Sequence, residues 1–114
     1  MPKSIIDQSV FNTLKDSVGA DFIVELVNTF LGEAPNMISD MRTSLSASDV
    51  DTFRLAAHSL KSNANTFGAL ELADLARELE MLARQHQLRN VGNKVDPLSS
   101  EYEKVASALK KLIQ

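Results

Sequence analysis

An all-α chain is predicted, an antiparallel up-down four-helix bundle with a short extra N-terminal helix. Three observations predict it. Apolar residues recur at three- and four-residue spacing through four long segments. No stretch alternates apolar and polar residues as a half-buried strand does. The links between the segments are short, which favours antiparallel neighbours.

The elements follow in order. Asp7 can cap a short helix over 7–17, with Val10, Phe11 and Leu14 as its apolar face, and Gly19 ends it. Asp21 opens a longer helix, 21–46, with Phe22, Ile23, Leu26, Val27, Phe30, Leu31, Ala34, Met37, Ile38, Met41 and Leu45 inward. Pro35 lies inside it, where proline costs about 3 kcal/mol and often breaks a helix. The apolar stripe keeps its phase from Phe30 to Met41, so one kinked helix is favoured over two. Ser46 to Asp49 is a polar turn into a helix over 50–66, whose seam is Phe53, Ala56, Ala57, Leu60, Ala64 and Phe67.

Gly68 then ends that helix or caps the next. The following helix, 69–86, turns Leu72, Leu75, Ala76, Leu79, Leu82 and Ala83 inward and Arg77, Glu78, Glu80 and Arg84 outward. His86 falls near its apolar seam, a structural position close to the helix end. Gln87 to Val95 reads as a polar connection. Asp96-Pro97 reads as a cap with proline at the first helical position, opening a last helix over 97–113 that buries Tyr102, Val105, Leu109 and Leu112, with Ile113 at its edge.

Composition bounds the function. A chain of 114 residues suits one domain, 1–114. A net charge of −3 and no Lys/Arg run argue against nucleic-acid binding. Absence of cysteine removes disulfides, thiol catalysis and zinc-thiolate sites. No apolar run approaches the ~20 residues of a membrane span, and the N-terminus lacks a secretory signal. A cytoplasmic protein is expected, or a cytoplasmic piece of something larger. His58 and His86 face different ways with no ligand partner at helical spacing, so no metal site is expected.

His58 carries the functional argument. At about 100° per residue it stands nearly opposite the seam of its helix. Arg54, Leu55, Lys61, Ser62 and Asn65 share its face. A neutral imidazole is a nucleophile without a general base. Arg54 and Lys61 disfavour its protonated form and would attract an arriving phosphoryl group. Along the helix the nearest acids, Asp49 and Asp51, lie two turns back. Ser62 is small enough to let a partner approach. Leu55 reads equally as a docking residue and as an ordinary surface leucine. A lone surface histidine is usually incidental, so position by itself does not decide.

The motif does more. His58-Ser59-Leu60-Lys61, then Gly68-Ala69, Leu72-Ala73 and Leu79-Glu80, resembles the signature of histidine-containing phosphotransfer domains. Phe30-Leu31 and Ala34-Pro35 resemble the family's second helix. The resemblance implies a four-helix bundle that relays phosphoryl groups in two-component signalling. It implies His58 as phosphoacceptor through its outer ring nitrogen, Lys61 as support for the phosphoryl oxygens and Gly68 as a structural helix end. Arg54, Leu55, Ser62 and Asn65 would then border the docking surface. The family usually has glycine after the lysine, where this chain has Ser62. Its hydroxyl can donate to a phosphoryl oxygen, slow the reaction or narrow partner choice.

The implied partners are receiver domains of response regulators or hybrid histidine kinases, which would supply Mg²⁺ and an acidic pocket. The chain itself needs no cofactor. It has no glycine-rich phosphate loop, so no kinase activity of its own is expected. Access to His58 favours a monomer, either free-standing or the tail of a membrane-bound hybrid kinase. A different class is a helical receiver-binding or adaptor module without phosphotransfer. Binding without acid-labile phosphorylation would mark it. A hydrolase is disfavoured, since no paired carboxylates and no nucleophile–base pair are evident.

Overall fold

The computed structural model describes residues 5–114. Among them are five α-helices: α1 (Gln8–Val18), α2 (Ala20–Ser46), α3 (Val50–Phe67), α4 (Leu70–Arg84) and α5 (Val95–Leu112), with a 3₁₀ turn at Leu88–Asn90. No strand occurs among the described residues. Around the bundle α2 packs on α3, α3 on α4, α4 on α5 and α5 on α2, while α1 covers α2 and α3. No helix is long and apolar enough to cross a membrane among the described residues.

Local chemistry sets the joints. The Asp7 carboxylate accepts from the Ser9 and Val10 amides and starts α1. Asp49 does the same for α3 through the Thr52 amide. Gly68 ends α3 in the left-handed region, at φ 83°. The Asp7 amide donates to the Gly68 carbonyl at 2.8 Å, tying the start of α1 to the α3–α4 turn. A Cβ on Gly68 would stand 2.8 Å from the Asp7 carbonyl oxygen.

Helix α2 runs unbroken through Pro35. Proline has no N–H, so the Leu31 carbonyl four residues earlier loses its helical donor. The Tyr102 hydroxyl of α5 donates to that oxygen at 3.3 Å. The Tyr102 ring stands edge-on to Phe30, which also packs on Phe67. Phe30 thus joins three helices.

Four expectations change. Phe22 is 48% exposed: it lies about 100° round the helix from Ile23, whose line through Val27 and Phe30 is the one that faces the core. Helix α4 stops at Arg84. His86 then takes φ 54° in the turn and is exposed, away from any seam. The connection over 87–95 is not merely polar: Leu88, Val91 and Val95 are buried and close the core under it. Helix α5 begins at Val95, so Asp96 is not its cap and Pro97 is the third helical residue. Proline is tolerated there because first-turn amides have no helical acceptor. The Asp96 carboxylate instead accepts from Arg42 of α2 at 2.8 Å.

Candidate functional site

His58 projects from the middle of α3, its side chain 49% exposed. Its seam neighbours Ala57 and Leu60 are fully buried, which anchors the backbone beneath it. The ring is not solvated all round. Its Nδ1 lies 2.9 Å from Oε2 of Glu80 on α4.

Glu80 overturns the expectation that it points outward. Its side chain is 2% exposed. It shares a side of α4 with the buried Ala76 and Ala83, at helical spacing, and α3 covers that edge. A carboxylate is buried only when paired and hydrogen-bonded. Lys61 Nζ reaches Oε1 at 2.6 Å. Arg84 donates to Oε2 from Nε at 3.1 Å and from Nη2 at 2.9 Å. Burial alone would push the acid's pKa up; the bonds from Lys61, Arg84 and His58 outweigh it and hold the carboxyl down at about 2.

The consequence reaches the ring. A carboxylate ionised at neutral pH only accepts hydrogen bonds. Nδ1 therefore carries the proton and donates it to Glu80. In the neutral ring Nε2 then keeps its lone pair. Nε2 makes no hydrogen bond to any described residue. The free, nucleophilic nitrogen is the one distal to the protein.

The charge pattern also differs from expectation. Lys61 does not stand uncommitted beside the ring; it is paired with Glu80. The ring's nearest ionic neighbour is a carboxylate from the adjacent helix, not Asp49 or Asp51 of its own. His58 and Glu80 thus form an imidazole–carboxylate pair invisible to spacing along α3. The signals for it were Glu80 at the edge of an apolar stripe and Arg84 four residues on.

The remaining residues of the α3 face lie as follows. Arg54 is half-buried and has no ion pair among the described residues. Leu55 is 56% exposed. Ser62 and Asn65 are exposed. Gly68 is buried at the helix end. His86 does not join the site, being on the turn after α4.

Comparison with known proteins places this geometry. A family model described as Hpt domain matches residues 25–113. The phosphorelay protein LuxU of Vibrio cholerae is 31% identical over 91 residues, 80% of each chain. LuxU of Vibrio harveyi is 27% identical over 92 residues, 81% of each chain. The crystal structure of histidine-containing phosphotransfer protein B from Pseudomonas aeruginosa superposes with a TM-score of 0.90 at 26% identity, covering 99% of this chain and 97% of that one. The HPT domain of a Shewanella sensor hybrid histidine kinase shares the fold, with a TM-score of 0.79 over 96% of this chain and 93% of that one. With an exposed helix-borne imidazole at its centre and a family match over most of its length, this chain belongs to the Hpt domain family.

Proposed function

We propose that His58 is the phosphoacceptor of this phosphorelay intermediate and that Nε2 is the reacting atom. One observation carries the reading: Glu80 accepts the Nδ1–H hydrogen bond, so the proton stays on Nδ1 and Nε2 is left free and outward. A receiver domain phosphorylated on aspartate docks over α3. Nε2 attacks phosphorus, the N–P bond forms, and the acyl P–O bond breaks with its electron pair leaving on the receiver carboxylate. Nδ1 keeps its proton throughout, and Glu80 offsets the positive ring that results. Onward transfer reverses these changes on a second receiver aspartate. No proton has to move in either direction.

Lys61 steadies the transferring oxygens, as charge spread over them calls for a nearby cation. Arg54 and Leu55 border the docking surface, and Ser62 and Asn65 keep it low and polar. Mg²⁺ and the acidic pocket come with the receiver. The chain acts as a monomer in the cytoplasm, without kinase activity of its own.

Incubation with a receiver domain phosphorylated on aspartate tests this. Acid-labile label is expected on the wild type and not on His58→Gln. Label persisting on the variant would contradict the assignment. Tight binding with no label on the wild type would make the chain an adaptor instead.

A further inference from the structure

We propose that Arg84 is a positioning residue that frees Lys61 to leave Glu80 and meet the phosphoryl group. This rests on the reading of His58 as acceptor. Lys61 Nζ sits 2.6 Å from Glu80 Oε1 in the resting protein. On this proposal the ammonium gives up that contact to meet a phosphoryl oxygen at Nε2. Glu80 is 2% exposed with its partners in place, so its charge is met by side chains more than by water. A buried carboxylate left without a cation is strongly unfavourable.

Arg84 resolves the conflict by its geometry. Two of its nitrogens, Nε and Nη2, hold Oε2, the oxygen that Lys61 does not use. It stays on Glu80 while Lys61 departs. The guanidinium is itself half out in water, 56% exposed, so it needs no partner beyond this one. On α3, Arg54 makes no ion pair with Glu80 and cannot replace it. With Arg84 removed and the His58 ring still neutral, Glu80 has Lys61 as its one remaining ionic partner, and Lys61 is held there.

The prediction is a coupling and not merely a loss. Phosphoramidate serves as a small donor that needs no receiver: the Nε2–P bond forms, the donor's P–N bond breaks, and ammonia leaves. Initial labelling rates are compared for the wild type, Lys61→Ala, Arg84→Ala and the double variant. Arg84→Ala is expected to slow labelling about tenfold, the worth of a charged hydrogen bond. The double variant is expected to be no slower than Lys61→Ala, and Arg84→Lys to recover part of the rate. An Arg84→Ala rate equal to wild type, or a double variant slower by the product of both effects, overturns the proposal. Should Arg84→Ala fail to fold by circular dichroism, Arg84→Gln enters the same cycle.

A second readout needs no phosphorylation. Exchange of the Lys61 Nζ protons, followed by ¹⁵N NMR, is expected to slow in Arg84→Ala; unchanged exchange overturns the coupling. Label on His58→Gln counts separately, against the acceptor assignment.

Discussion

Glu80 and His58, on neighbouring helices, meet at 2.9 Å between Oε2 and Nδ1. The contact joins a nearly buried acid to a half-exposed ring. It gives an outward-facing histidine a fixed orientation without covering its reactive side. Most carboxylates this buried would be a liability. Here three side chains from two helices share the charge, and the acid in turn orients the His58 ring.

The same contact predicts a pH dependence of stability. The Glu80 carboxyl is held at about 2 in the folded chain against an ordinary 4.5. The unfolded chain therefore takes up this proton first as pH falls. The stabilisation is complete above pH 4.5 and is lost as pH falls through the folded value. It amounts to about 3 kcal/mol when complete. Urea unfolding of the wild type and Glu80→Gln between pH 7 and pH 3 checks this. The wild type's advantage is expected to shrink on acidification. A gap that stays constant would contradict the linkage.

Two glycines should answer alanine with opposite signs. Gly68→Ala puts a Cβ 2.8 Å from the Asp7 carbonyl oxygen and forces alanine to a left-handed φ. A loss of about 2 kcal/mol or more is expected. Gly32 lies inside α2 with nothing near its missing Cβ. Gly32→Ala is expected to gain up to about 1 kcal/mol from helix propensity. Denaturant midpoints of the two variants settle both signs.

Pro35 and Tyr102 should be coupled. Tyr102→Phe strands the Leu31 carbonyl that Pro35 already leaves without its helical donor. The expected cost is about 1 kcal/mol. In a Pro35→Ala background the residue-35 amide resumes the helical bond, and Tyr102→Phe should then cost much less. Equal costs in the two backgrounds would show that the hydroxyl does not compensate for the proline.

These cases mark what the sequence makes legible. The helices, the outward face of α3 and the exposure of His58 follow from one-helix periodicity, because a seam such as Phe53–Ala57–Leu60–Ala64 fixes the opposite side by itself. Glu80 does not follow. It stands at the edge of its own stripe, and only the approach of α3 decides that the edge is buried. The role of Lys61 shifts for the same reason, since its partner is on another helix. The turn at His86 is not legible either, because a non-glycine residue at positive φ gives no compositional warning of where α4 stops. Leu88, Val91 and Val95 were hidden among amides and charges, although their spacing of three and four is that of a core-facing turn.

The central claim concerns one proton. Two-bond ¹H–¹⁵N correlation spectra of the His58 ring, taken at a pH where the imidazole is neutral, report which nitrogen bears it. A protonated Nδ1 and a bare Nε2 are expected, with Glu80→Ala releasing that preference. A ring protonated on Nε2 in the wild type would contradict it.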